Sequence, residues 1–453
     1  MLFSACPARL PYKPVDLEEQ AARVEFQNRA ADDATLVELV RASGYEGMWP
    51  PEQWRLDTLT LLALYFNPEV DVARAQALAS RASLSLAAKR SPLSIELAAE
   101  HHSREVDGTP WTIGVAVGLP IGSGSRREAR VDRATYIADA AEIEIAAVMW
   151  RVRGATRDAI VDLTACRQRA RLLEKQISVR RQLVKLMQRR VDTGMLSARD
   201  LGRERTELAA AEAELAVERT RQVTAYGDLA AALGLPLETV QSLKIADDAI
   251  KEPSVVPEAG AARSRALRNR LDIHVRLLEF GAADAEVRLA VAEQYPIVRI
   301  SPGFFWDQGD EIWELASLVV PPASAQAAVL EAEARREVAA RRFMALQIRV
   351  IGEVERSREV LQVTHASVTA GQDVVSQAQS QFERVRRYFD SGGGDRVQLE
   401  TAHLATVQAQ QHLLEVQIAS YMSAARFEDA MQVPVLGDFL NLPDLQAIPG
   451  ASS

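Results

Sequence analysis

Few residues in this chain have the types and spacing that chemistry requires. His101 and His102 are adjacent in an alternating segment. Strand neighbours point to opposite faces, and no third ligand lies nearby in sequence, so the pair does not read as a metal set. His403 and His412 lie nine apart on a helical stretch and do not share a face. Gly122-Ser123-Gly124 precedes a helix but lacks the lysine of a phosphate loop, and reads as a tight turn. The two cysteines, Cys6 and Cys166, form neither a disulfide framework nor a zinc pattern. No nucleophile, base and orienting group stand in a recognisable pattern. The chain therefore reads as a non-enzyme with no cofactor and no metal.

Composition narrows the class. The 453 residues carry a formal net charge of -9, with 48% hydrophobic and 25% charged residues. That is the range of a folded protein. It argues against nucleic acid as a partner, which would call for a basic stripe. No apolar run approaches the roughly 18 residues of a transmembrane helix. The opening Leu2-Phe3-Ser4-Ala5-Cys6 has the form of the last residues of a bacterial lipoprotein signal, a small residue before cysteine. With a start upstream of Met1, Cys6 would be the lipid-bearing N-terminus.

Proline punctuates the chain twice over. None occurs between Pro120 and Pro236, or between Pro322 and Pro434. Two proline-free blocks of equal size point to an internal repeat. Asn67-Pro68-Glu69-Val70 parallels Arg270-Leu271-Asp272-Ile273, Asp192-Thr193-Gly194 parallels Asp390-Ser391-Gly392, and Leu201 parallels Leu399.

Inside each block good helix formers dominate, with apolar positions such as Leu173, Ile177, Val184 and Met187 at three- and four-residue steps. A helix over 126–190 breaks at Gly194, restarts after Ser197 as N-cap, and stops at Gly234-Leu235-Pro236. The second block breaks at Ser391-Gly392-Gly393-Gly394, a looser turn, and restarts near Asp395. The outgoing helix would be roughly 95–100 Å long. Its Arg- and Glu-rich faces read as solvated. Before each block lie two extended segments. In Thr112–Leu119 the residues Ile113, Val115, Val117 and Leu119 share one face and Thr112, Gly114, Ala116 and Gly118 the other; Ser94–Glu100 alternates likewise. Their length suits a tilted strand crossing a bilayer, with Trp111, Phe304, Phe305, Trp306 and Trp313 toward the ends like an interfacial girdle. The residues alone also admit a soluble coiled-coil scaffold with two β-hairpin caps.

After about Trp54 the chain resembles the TolC-type outer-membrane efflux protein family. The resemblance rests on Asn67–Val70, the proline opening each strand pair, Gly118-Leu119-Pro120-Ile121-Gly122-Ser123-Gly124 leading into the long helix, and the tip Gly194-Met195-Leu196-Ser197 followed by Asp200-Leu201. It implies a mainly α fold with a small β part: duplicated helical hairpins forming a periplasmic α-barrel, and four strands per chain contributing to a trimeric twelve-stranded barrel in the outer membrane. The expected organisation is an N-terminal export or lipidation remnant and extended segment (1–53), a first repeat (54–250, strands 93–120, hairpin 126–232), a second (251–435, strands 296–320, hairpin 323–432) and a tail (436–453).

The resemblance implies a passive duct in a homotrimer, docking a periplasmic adaptor and coupled to an inner-membrane transporter, of the resistance-nodulation-division type or, alternatively, of a type I protein secretion system. Gly194, Met195, Leu196, Ser197, Gly392, Gly393 and Gly394 would form the adaptor-docking tips. Asp200, Asp395, Gln398 and Glu400 would form the tunnel constriction, with glutamine at the position where the family carries its second acid.

Overall fold

The computed structural model describes residues 19–42, 45, 47–90, 93–103, 110–121, 124–247, 258–307, 310–320 and 324–434. In chain order these form α1 (Glu19–Gln27), α2 (Ala34–Ala42), α3 (Leu56–Phe66), α4 (Pro68–Ala87), β1 (Ser94–His101), β2 (Trp111–Ile121), α5 (Gly124–Asp192), α6 (Ala198–Leu233) and α7 (Leu237–Ser242). Then follow α8 (Ala259–Asn269), α9 (Leu271–Glu293), β3 (Ile297–Asp307), β4 (Asp310–Val319), α10 (Ala325–Asp390) and α11 (Arg396–Met431). Cys6, Gly122, Ser123 and residues 436–453 lie outside the described residues.

The two halves repeat one plan: a helix, a strand pair, a helix of 69 or 66 residues, and a 36-residue return. The same junction recurs in each half. Asn67 caps α4 through its side-chain oxygen and donates from Nδ2 to Ala232 O at 2.9 Å. In the second half Arg270 donates from Nη1 to Ala430 O at 3.3 Å, and Gln432 Oε1 accepts from Leu271 N at 2.6 Å. At this second junction a side chain from each side closes the seam, where Asn67 reaches across from one side in the first.

Two cores sit at mid-length of the long helices. One gathers Leu59, Leu62, Met149, Ile160, Leu229 and Leu233 from α3, α5 and α6; the other gathers Ala262, Val350, Leu361, Tyr421, Phe427 and Met431 from α8, α10 and α11. The segment expected to be extended differs. Its described residues include α1 and α2, and α2 forms because Leu36, Leu39 and Val40 recur on one face and bury against the first core. Arg29 clamps this segment down, donating from Nη1 to Phe66 O at 2.9 Å and Gly234 O at 3.0 Å.

The four strands form one antiparallel sheet in the order β1-β2-β3-β4, with β1 and β4 paired on one side only. Its faces are reversed relative to a sheet covering a core. Ile95, Leu97, Ile113, Val115 and Leu119 point outward and are exposed, Leu97 by 81%. Gly114, Ala116 and Gly118 are buried on the opposite face. There the Phe305 ring lies over Gly114, where an added Cβ would sit 2.0 Å from its Cδ1, and Arg299 and Ser94 close over Gly118. Small residues on β2 therefore make room for large neighbours on β3. The weaker alternation of the second pair has a local cause: β3 and β4 lose register between Ile300 and Gly303, where Ser301 and Pro302 face Leu315 in a bulge.

Candidate functional site

Each long hairpin reverses at a tip built in the same way. At the end of α5, Gly194 adopts φ +73°, with Gly194 N–H donating to Val191 O at 3.0 Å and Met195 N–H to Arg190 O at 2.8 Å. At the end of α10, Gly392 adopts φ +85°, with Gly392 N–H donating to Phe389 O at 2.9 Å and Gly393 N–H to Tyr388 O at 3.1 Å. Both satisfy the last helical carbonyls through a left-handed glycine, which has no Cβ to clash. The returning helices are capped alike. Ser197 Oγ accepts from Arg199 N at 3.0 Å, and Asp395 Oδ1 from Val397 N at 3.1 Å.

Met195 projects from the first tip at 77% exposure, and Leu196 is half-buried. In the glycine run of the second tip Gly392 is open, whereas Gly393 and Gly394 lie close to Tyr388 and Phe389. A Cβ on Gly393 would meet the Tyr388 ring at 2.5 Å, and one on Gly394 would meet Phe389 Cα at 2.8 Å.

The four candidate constriction residues do not act as one group within a single chain. Asp200 and Gln398 occupy equivalent exposed places, each three residues past its cap. Glu400 lies 3.7 Å from His403 Nδ1, and the His403 ring stacks on Phe382. Asp395 is paired with Arg190 of the other tip. Partial burial disfavours its charge, but the Arg190 guanidinium and the Val397 and Arg396 N–H groups outweigh this and hold its pKa below the ordinary value. Sequence reading missed Arg190. Its signal was the Arg189-Arg190 pair just before the turn, but nothing in sequence says which arginine faces the second hairpin.

The Arg190–Asp395 pair ends a seam that α5 and α11 share along their length. Leu183 and Val179 pack on Leu404, Gln411 donates to Gln176 at 2.8 Å, and Arg169 makes a two-pronged pair with Glu415 at 2.7 Å each. At mid-length the seam becomes ionic and dry. Arg157, 1% exposed, donates to Asp429 at 2.7 Å and Glu428 at 3.2 Å. Arg153 also pairs with Glu428, and Trp150 Nε1 donates to Asp429 at 3.2 Å.

Burial alone would depress the Arg157 pKa. The hydrogen bond and charge of Asp429, with Asp158 and Glu428, raise it well above the ordinary arginine value instead. Burial pushes the neighbouring Tyr421 up to about 12. These charges overturn the expectation that the Arg- and Glu-rich faces are solvated throughout. Where α5 meets α11 beside the second core, Arg153, Arg157 and Glu428 are cut off from water and each buried charge needs its partner, while the Asp429 side chain stays 40% exposed.

The histidines hold local contacts. His101 meets Trp111 edge to face, and His102 Nε2 lies 2.9 Å from Thr112 Oγ1. Among the described residues, no three His, Cys, Asp or Glu side chains gather as a metal site, and no helix is long and apolar enough to cross a membrane.

Residues 60–235 match the family model described as outer membrane efflux protein. Among curated proteins none matches the sequence. Among solved structures, the outer membrane protein VceC of Vibrio cholerae matches with a TM-score of 0.68 at 19% identity, covering 85% of this chain and 100% of that one. The outer membrane channel CmeC of Campylobacter jejuni matches at 0.66 and 12% identity over 94% of both chains. The open state of the MtrE outer membrane channel of Neisseria gonorrhoeae matches at 0.59 and 15% identity, over 86% of this chain and 89% of that one. At such identities the likeness is one of fold.

Proposed function

We propose, for a chain whose residues 60–235 match the outer membrane efflux protein family model and which over most of its length has the fold of outer-membrane channels, that it is the passive duct of a tripartite efflux assembly. Three copies join their four strands into a closed twelve-stranded barrel in the outer membrane. The helical hairpins continue as a tunnel through the periplasm. The tips at Met195 and Leu196, and at Gly393 and Gly394, dock a periplasmic adaptor that couples the duct to an inner-membrane transporter of the resistance-nodulation-division type.

The observation that carries this reading is the reversed sheet. Its exposed apolar face at Ile95, Leu97, Ile113, Val115 and Leu119 is suited to lipid, and its two unpaired edges cannot stand in lipid unclosed. The α5 helix, roughly 100 Å long by its rise, places the tips far from that sheet. Barrel and tips can therefore be tested apart. Replacing Met195 and Leu196 with Asp should abolish dye efflux in the native host while trimers still assemble and insert. Normal efflux by the double variant would contradict docking at this tip.

A further inference from the structure

The chain is acidic as a whole, yet its first tip is strongly basic. Residues 180–205 contain eight Lys or Arg and three Asp or Glu, whereas the equivalent stretch of the second tip, 378–403, contains four of each. Within one chain the surplus is exposed and uncompensated. Among the described residues Lys185, Arg189, Arg199 and Arg203 are in no ion pair, and Arg205 reaches only the neutral Gln188, at 2.6 Å.

Folding does not account for this arrangement. Lys185 and Arg189 are four apart on α5, and Arg199 and Arg203 are four apart on α6, a spacing at which like charges destabilise a helix. Arg199 and Arg203 also lie in the first turns of α6, where the helix dipole disfavours cations. Arg180, Arg181 and Arg190, in contrast, each face a carboxylate: Glu204, Glu212 and Asp395 respectively. The hairpin thus pairs the cations that hold it together and leaves unpaired those on either side of the projecting Met195 in the chain, Arg189 and Arg199 nearest.

We propose that the first tip is built to receive an acidic partner surface: a periplasmic adaptor whose docking end carries Asp and Glu side chains against Lys185, Arg189, Arg199 and Arg203, with an apolar spot for Met195. This rests on the docking role proposed above and specifies the chemistry of the partner. Opposed charges speed and orient docking and reject basic partners. The neutral second tip gives a docking ring of three basic and three neutral positions, so in a trimer the acidic contacts fall on every other tip.

The test uses the full chain in its native host, with a photo-crosslinking residue at the exposed Ala198 and sequencing of the captured peptide by mass spectrometry. The expected peptide is helical in pattern, periplasmic and net negative. Its yield should fall on the order of tenfold in the triple variant Arg189→Glu, Arg199→Glu, Arg203→Glu, and less in the corresponding triple Gln variant, as a screened charge interaction would. A captured segment that is neutral or basic would overturn the proposal, as would an unchanged yield in the Glu variant. If the Glu variant instead keeps its crosslinks and only changes export of anionic relative to cationic dyes, the cations serve cargo and the proposal fails. If efflux survives both the Glu variant and the Met195 and Leu196 double variant, docking at the tip fails and takes this inference with it. If only the double variant loses efflux, docking stands and the acidic partner falls.

Discussion

Gly234 and Gln432 occupy the same left-handed position at the ends of the two returning helices, with φ of +67° and +49°. The first site admits only glycine, since an added Cβ would stand 2.4 Å from the Phe66 carbonyl oxygen. The second tolerates a side chain and uses it, through Gln432 Oε1 on Leu271 N–H. Gly194 also has positive φ, but nothing lies within 4 Å of the Cβ position. Gly234→Ala should therefore cost clearly more than Gly194→Ala, whose penalty is only the left-handed strain of about 1 kcal/mol. Comparing urea midpoints of the two variants checks this; equal losses would show that the Phe66 contact relaxes freely.

The dry ionic cluster should be among the most sensitive points in the helical part. Glu428→Ala removes the fully buried carboxylate that Arg153 and Arg157 share, while Arg157 keeps Asp429 and Asp158, and should cost about 3 kcal/mol. Arg169→Ala breaks an exposed pair and should cost under about 1 kcal/mol. Thermal melting of both variants gives the comparison, and similar shifts would mean that water reaches Glu428.

Acid should loosen the α5–α11 seam first where carboxylates are held by arginine. The Arg169 hydrogen bond lowers the Glu415 pKa despite partial burial, and Arg190 with the backbone does the same for Asp395. A depressed folded pKa adds stability above the ordinary carboxylate value of about 4 and loses it as pH falls through the folded value. Stability should thus be flat from pH 7 to 5 in these groups and fall below about 4. Arg169→Gln together with Arg190→Gln should flatten that acid limb; an unaltered limb would assign it to other carboxylates.

Asp395 serves as a cap and as the ion partner of Arg190, and the two roles can be separated. Asp395→Asn keeps an N-cap but removes the charge; Asp395→Ala removes both, at about 1 kcal/mol more. Hydrogen exchange of the amides from Arg396 to Glu400 should rise in Ala far more than in Asn. Equal rises would mean that the ion pair alone holds the start of α11.

Much of this architecture is legible before any coordinates. Proline-free blocks, glycine at Gly194, Gly234 and Gly392, and caps at Ser197 and Asp395 are local signals, and each acts through its own backbone. The alternation of Thr112–Leu119 shows two faces but not which one meets solvent; that follows only when Phe305 and Arg299 on β3 cover the small residues. The Arg157–Glu428 and Arg190–Asp395 pairs are invisible because the partners lie far apart along the chain, and a charged residue on a long helix looks the same whether it faces water or another helix. The short α2 was missed because its three buried apolar residues, Leu36, Leu39 and Val40, signal little until α3 and the rest of the first core receive them.

The central claim is that this sheet is one third of a closed barrel. Native mass spectrometry of the full chain in mild detergent addresses it directly. The account predicts three chains per particle, and no folded monomer once detergent is removed. A stable, folded monomer in water would contradict it, because Ile95, Leu97, Ile113, Val115 and Leu119 would then be an ordinary wetted surface and the edges of β1 and β4 would need no partner.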